Sequence, residues 1–344
     1  CCLRLEKFPI LMQKLTVLKM ELFHVFEQAV FSAYLSYICG ITEKLEQSKI
    51  EEYFLAGMMH DIGLLHINHN ILKKEGQLTP EEWRNIQSHP IIGYEIVKNI
   101  KHFPKIVARA ILEHHENMDG SGYPRNKQGD ELCDLGQIIN LLDNTIAIYN
   151  KKLKQQKRSI RGVIPVIQIN IHSYSYHVAS IIIRALKHAQ ESTPDPAKAD
   201  SLGDLINNTQ KRQRYIQKTT VIIKGANDDI GYTHNDTDVS AIQNTGNNII
   251  LIVNSAGLND TQYTDSLSEM VKAEPENMVN EVEDTHLMLG EVIYQIQTYQ
   301  KNANLFVSNN LNHPLTPTLS KCLEDVAQVP TPDKAGSFKR ASLG

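Results

Sequence analysis

Between residues 10 and 190 apolar side chains recur at helical spacing, and histidine or aspartate interrupts that pattern in five places where a core calls for an apolar group. In KIVARAILEHH, Val107 and Ile111 mark one face by their i, i+4 spacing, and His114 and His115 continue it at i+7 and i+8. In QIINLLDNTIAI the stripe is Leu135, Ile139, Leu142 and Ile146, with Asp143 on its edge. An unpaired carboxylate there would cost several kcal/mol or be forced to protonate. Val17, Met20, His24 and Phe31 share one side of the run from Ile10 to Cys39, which turns His24 inward. The remaining two places are His60-Asp61 in AGMMHDIG and His89 in QSHPIIGYE. Helices that bury such residues must converge on a shared polar centre.

A single inward histidine is more often a satisfied core residue than a ligand, and an aspartate before Ile-Gly can serve as a cap or turn acceptor. Five coincidences in one helical domain point instead to a metal centre. Imidazole nitrogens with carboxylate oxygens suit borderline divalent ions such as iron, manganese or zinc, and no cysteine accompanies them as a structural zinc site would require.

The helical half reads as one mainly α domain over residues 1–192. LTPEEW (78–83) carries a helix start, with Thr79 as N-cap, Pro80 at N1 and Glu82 completing a capping box. The run from Ile10 stops at Gly40, a C′ residue, and further helices fit 104–116, 134–153 and 177–190. After HAQESTPDPAKAD the composition shifts toward Asn, Asp, Thr and Gln, so 193–247 reads as a polar linker. NIILIV (248–253) and NLFVS (304–308) suit buried strands, which makes 248–310 a small α/β domain. Its helix near 281–300 carries a seam of Thr285, Leu289, Val292, Ile296 and Tyr299, to pack on a core or on a second copy in a homodimer. Residues 311–344 read as a flexible tail.

A formal net charge of -4 leaves no overall basic field, which argues against extended nucleic-acid binding, so any anionic ligand must be met locally. Five cysteines without dense spacing read as thiols of a reducing compartment, and hence as cytoplasmic. No run approaches the roughly 18–20 apolar residues of a membrane span. The chain begins without methionine, so an upstream sensory or membrane segment stays open.

HDIG (60–63), ILKKEGQLTPEEW (71–83), HPIIGYEIV (89–97), HHENMDGSGYP (114–124) and the Asp143 helix together resemble the HD-GYP subgroup of the HD metal-dependent phosphohydrolases, bacterial phosphodiesterases of cyclic di-GMP. The resemblance implies an HD-type helical bundle over about residues 15–190. It implies that His24, His60, Asp61 and Asp143 hold one divalent ion, iron or manganese, and that Asp61 bridges to a second held by His89, His114 and His115. Catalytic roles fall to Asp61, Glu116 and Asp119, with Glu116 orienting a neighbouring group. Substrate contacts fall to Lys152, Gly120, Gly122 and Tyr123, and the GYP loop faces a signalling protein partner. The implied reaction is hydrolysis of a 3′,5′-phosphodiester of cyclic di-GMP by a hydroxide shared between two ions, giving pGpG and further GMP.

Three departures from the family pattern bear on that expectation. Leu64 stands where the family carries a lysine after HDxG, and NKKLK (150–154) replaces its arginine-rich stretch, with Lys152 near the first arginine's place. Lysine offers a point charge without the bidentate fork. Met20 occupies the place of a glutamate that supports a third metal, so two ions are expected. His66 and His69 read as loop residues. Leu64 and the NKKLK stretch also motivate an alternative, a catalytically weak receptor or scaffold that binds metal and cyclic di-GMP.

Overall fold

The capping box closes as the sequence predicts. In the computed structural model Thr79 Oγ1 accepts from the Glu82 amide at 3.2 Å, and the Glu82 carboxylate accepts from the Thr79 amide at 2.7 Å. The structure describes residues 5–74, 76–118, 120, 122–171, 174–189, 202–231, 237–260, 262–273 and 275–332. Two compact units divide the chain near residue 191, except that Gln168–Asn170 packs with the second.

In the first unit α1 (Pro9–Glu21) and α2 (Phe23–Thr42) are followed by α3 (Gln47–Met59) and a 3-10 turn, Ile62–His66. Short α4 (His69–Leu72), α5 (Pro80–Gln87), α6 (His89–Val97) and α7 (Lys105–Glu113) lead to α8 (Asp134–Ile148), and α9 (Ile164–Ile169) and α10 (Tyr176–Lys187) come after it. Leu11, Leu15, Leu18, Leu55, Met59 and Ile111 are among the side chains of the first unit's core. Helix α8 is buried through nearly its whole length, from Leu135 to Leu142 and again at Thr145 to Ala147. It starts at Cys133, whose Sγ accepts from the Gly136 amide at 3.3 Å, and it widens after Ile148 into a single π turn, Tyr149–Leu153.

The run from Ile10 to Cys39 is two helices rather than one. Leu22 leaves helical geometry, with φ -133° and ψ 62°, and resets the helical phase from Phe23 onward. Gly40 is not the stop residue expected of it, because α2 runs on to Thr42.

The second unit differs most from the expectation. Where a linker was expected, α11 spans Leu202–Ile230; α12 (Thr237–Ser255), α13 (Gln262–Ala273), α14 (Pro275–Asn309) and α15 (Thr316–Gln328) complete the unit, and no strand occurs among the described residues. NIILIV lies inside α12, with Ile249, Ile252 and Val253 buried and Leu251 43% exposed, which is helical and not alternating periodicity. NLFVS ends α14 in the same way, with Phe306 buried and Leu305 60% exposed. Short apolar runs cannot by themselves tell a strand from a helix segment. Leu289, Val292, Ile296 and Tyr299 form a core face within the unit. The segment expected as a flexible tail contains α15, whose Leu319, Cys322 and Val326 are buried, while 333–344 lies outside the described residues.

The polar composition that reads as a linker is compatible with helices because its side chains bond to their own backbone. Thr209, Thr219 and Thr245 each donate to the carbonyl four residues back, at 2.7, 2.8 and 2.9 Å. Cys39, Cys133 and Cys322 are free buried thiols, and Cys1 and Cys2 lie outside the described residues. No helix among the described residues is long and apolar enough to cross a membrane.

Candidate metal centre

Three helix ends and the body of α8, which carries Asp143, deliver the polar side chains of the cluster. His60 caps the C-terminus of α3 and Asp61 opens the 3-10 turn behind it. His89 starts α6, and His114 and His115 come directly after the last turn of α7. Gly63 is what lets the first of these elements meet the second. A Cβ on Gly63 would stand 2.0 Å from the His89 carbonyl oxygen, so only glycine allows the turn to press against the start of α6.

The imidazoles are aimed by their own helices. His60 Nδ1 donates to the Gly57 carbonyl at 2.8 Å, His89 Nδ1 to Ile86 at 2.8 Å, and His114 Nδ1 to Ile111 at 2.7 Å. These are carbonyls of last turns, which helix ends leave short of amide donors. The HP pair adds a specific reason, since Pro90 has no N–H to offer the Ile86 carbonyl four residues upstream. A carbonyl only accepts, so each Nδ1 carries a proton, and a ring that holds only that proton presents a bare Nε2.

Those Nε2 atoms surround one carboxylate. Asp61 Oδ1 lies 3.2 Å from His89 Nε2 and 3.7 Å from His114 Nε2, and Asp61 Oδ2 lies 3.2 Å from His60 Nε2. Asp143 Oδ1 approaches His60 Nε2 at 3.9 Å from the other side. His115 completes one group with Asp61, His89 and His114, and a second group consists of His60, Asp61 and Asp143, with ligand atoms in each group within 4.8 Å of one another.

The donor set fits divalent cations. His89 Nε2 and His114 Nε2 stand 3.2 Å apart, two lone pairs in mutual repulsion unless a positive charge comes between them. His60 Nε2 is buried and makes no hydrogen bond. Burial and the charge of Asp61 push the Asp143 carboxyl up to about 6, the signature of two carboxylates short of positive charge. Burial would raise Asp61 too, but the imidazoles of His60, His114 and His89 hold it well below the usual range. Burial drives His114 down to about 4, a neutral ring ready to ligate.

His60 sets a pH dependence. Burial opposes its imidazolium, yet the Asp61 carboxylate, with Asp143 behind it, more than reverses this and raises the ring from 6.5 to about 9. A folded-state pKa above the unfolded value stabilises fully below pH 6.5 and loses that contribution as the pH climbs toward 9. Chelator-treated protein should therefore lose stability over this window, on the order of 3 kcal/mol. Added divalent metal should flatten the dependence by taking the proton's place. Thermal melting across the window, with and without metal, checks this; a flat profile in chelator would contradict it.

The loop after His115 is clamped by the Glu116 carboxylate. Glu116 accepts from the Arg125 amide at 2.6 Å and the Lys127 amide at 3.1 Å. It is in neither ligand group, and its carboxylate anchors the loop. Its own carbonyl accepts from Asn140 Nδ2 at 2.7 Å and Gln137 Nε2 at 3.2 Å, which ties the Asp143 helix to the end of α7. Gly122 presses on the same backbone, where a Cβ would come within 2.4 Å of the Glu116 Cα. Tyr123 stacks on His115 with centroids 4.7 Å apart, and the Gly120 amide donates to the Asn117 carbonyl at 3.0 Å. Asp119 lies outside the described residues.

Sequence reading misses Glu113, Gln137, Asn140 and Lys151. Glu113 is fully buried and accepts from Arg109 Nε, Lys127 Nζ and the Cys133 amide at 2.8–2.9 Å. Gln137, Asn140 and Asn144 step along one face of a buried helix, a polar stripe visible in the sequence. Lys151, one residue before Lys152 in the π turn, is the cation whose charge reaches Asp143.

Two expectations change. His24 is exposed and belongs to neither ligand group. Past the break at Leu22 the inward face of α2 runs through Val25, Ala29, Ser32, Ser36 and Cys39, which leaves His24 one residue out of phase, and Val17 and Met20 are likewise 47% and 76% exposed. Leu64 sits in the hydrophobic core at 1% exposure. Leu64→Lys should accordingly destabilise the first unit by about 3 kcal/mol or more through a buried ammonium. A melting temperature equal to that of the parent would contradict this placement.

Residues 13–174 match the HD domain family. Over 140 residues the chain is 33% identical to the 3′3′-cGAMP-specific phosphodiesterase 3 of Vibrio cholerae, covering 41% of this chain and 30% of that one. It is 36% identical over 130 residues to the 3′3′-cGAMP-specific phosphodiesterase 2 of the same organism, covering 38% and 24%. It is 35% identical over 115 residues to the cyclic di-GMP phosphodiesterase of Thermotoga maritima, covering 33% and 31%. The chain thus spans less than a third of the length of these curated relatives. Residues 13–174 thus carry an HD domain, and the HDIG, HP and HHENMDGSGYP motifs within it are consistent with a member of the HD-GYP subgroup.

Proposed function

We propose that the first unit is a metal-dependent phosphodiesterase of cyclic dinucleotides, with cyclic di-GMP as substrate and pGpG, then GMP, as products. The observation that carries this reading is the meeting of His60, Asp61, His89, His114, His115 and Asp143 at two ligand groups that share Asp61. His89, His114, His115 and Asp61 would hold one divalent ion, iron or manganese, and His60, Asp61 and Asp143 the other. Two such ions supply a nucleophilic water at neutral pH and neutralise charge building on the phosphate oxygens.

The chain's own residues do the rest. The three Nδ1–H bonds fix ring tautomer and orientation, so no side chain must reorganise when substrate arrives. Tyr123 holds the plane of His115, and Glu116 keeps the loop against the site. Lys151 and Lys152 supply cationic charge on the Asp143 side for a substrate phosphate, in place of an arginine fork.

The names of the relatives favour a second substrate, 3′3′-cGAMP, and the core position of Leu64 favours a second role, a weak enzyme that serves as receptor. One experiment separates them. Protein prepared under low oxygen is loaded with manganese or iron, and both cyclic dinucleotides are followed by chromatography. Turnover of cyclic di-GMP to pGpG supports the proposal, preference for 3′3′-cGAMP replaces its substrate, and tight binding of either without turnover leaves a receptor.

A further inference from the structure

A cavity of about 450 Å³ lies beside α7, within the range of roughly 300–1,000 Å³ of small-ligand sites. None of its lining residues belongs to either ligand group. Its floor is apolar and buried, formed by Val97, Phe103, Ala108 and Leu112, and half-buried Tyr94 also lines it. Its rim is cationic: Lys98, Lys105, Arg109, Arg125 and Lys127 stand against one carboxylate, Glu113, in a chain whose net charge is -4.

The balance of charge stays positive once internal pairs are matched. Glu113 already accepts from Arg109 Nε at 2.9 Å and Lys127 Nζ at 2.8 Å, which fixes where those two cations stand. Lys98 pairs with Glu95 at 2.6 Å and lies 5.6 Å from the centroid of the Tyr94 ring. Lys105 and Arg125 have no side-chain hydrogen bond or ion pair among the described residues. A cavity that pairs an apolar floor with unmatched cations selects a ligand having both a flat apolar body and a compact anionic group.

We propose that this cavity is a binding site for a purine nucleoside monophosphate, with the base on the floor between Tyr94 and Leu112 and the phosphate between Lys105 and Arg125. A bare inorganic anion would leave the floor unused, and a neutral nucleoside would leave the cations unmatched. The assignment does not depend on the metal centre's reaction, so a failed turnover assay leaves it untouched.

The test is calorimetric titration of the full chain, chelator-treated so that the metal centre cannot hold phosphate, with GMP, guanosine and inorganic phosphate. GMP should bind at least about 10-fold more tightly than either of the others, the loss expected when charge-assisted contacts or the buried ring are removed. Equal affinity for phosphate would mean an adventitious ion only and overturn the proposal. Lys105→Glu and Arg125→Glu should each weaken GMP binding by about 10-fold or more, since each removes a cation without breaking an internal pair. Unchanged affinity in both variants overturns it. A measurement on unmodified protein guards against misfolded variants: methyl resonances of Ala108 and Leu112 should shift with GMP, and shifts confined to other methyl groups would place the ligand elsewhere.

Discussion

Asp61→Asn should empty both ligand groups at once and lower cyclic dinucleotide turnover by about 10³-fold or more. Asp61 is the residue common to the two groups, with Oδ1 turned to His89 and His114 and Oδ2 turned to His60. Asparagine keeps the shape but loses the negative charge and offers an amide donor on one side. That donor satisfies a bare imidazole Nε2 directly, where aspartate can only present another acceptor. The variant should therefore match its parent in chelator only near pH 9, where the parent has already lost the stability that the His60 imidazolium draws from Asp61, and should lose the stabilisation that added metal gives the parent. Removing the Asp61 charge also takes away one cause of the raised Asp143 carboxyl. Asp143→Asn, by contrast, disturbs one group only and should leave about half the bound metal. Elemental analysis, turnover and melting with and without metal decide the matter. Two metals per chain and full turnover in Asp61→Asn would sink the shared-carboxylate reading.

How far a residue's role is legible in the sequence depends on where it sits relative to an unbroken helix. His114, His115 and Asp143 continue stripes whose phase is carried by neighbours within two turns, so their inward placement can be read by counting. His24 cannot be read that way, because Leu22 interrupts the helix and nothing local signals the loss of phase. Leu64 shows a related limit: the motif fixes its position in the chain, while burial in the core depends on how the 3-10 turn packs. Glu113 is hidden by its i, i+4 pairing with Arg109, which looks like a surface ion pair until the Cys133 amide and Lys127 close around it. The second unit is illegible for another reason. Its Thr and Asn side chains bond their own helices, so composition alone resembles unstructured chain although Ile216, Ile223, Leu289 and Val292 make a continuous core.

Gly63→Ala should be the most damaging single-methyl change in the first unit. The added Cβ would meet the His89 carbonyl oxygen at 2.0 Å, the Gly93 amide nitrogen at 2.8 Å and the His89 carbonyl carbon at 2.9 Å. All three are backbone atoms of α6, so no side chain can swing aside, and the 3-10 turn must draw away from the helix. Asp61 is two residues before the glycine and only 3.2 Å from His89 Nε2, so the displacement falls on the spacing of the ligand atoms themselves. Overpacking of this kind costs about 3 kcal/mol or more, roughly 10 °C in melting temperature for a domain of this size. Metal affinity should fall with it. Gly225→Ala is the matched control: a Cβ there meets nothing within 4 Å on an exposed turn of α11. That change should be neutral or stabilising by up to about 1 kcal/mol, since alanine favours the helix and restricts the unfolded chain. Melting curves and metal titrations of the two variants separate steric damage from the general effect of losing a glycine. If Gly63→Ala melts with its parent and binds metal equally well, the close approach of the HDIG turn to α6 is not what positions Asp61 against His89.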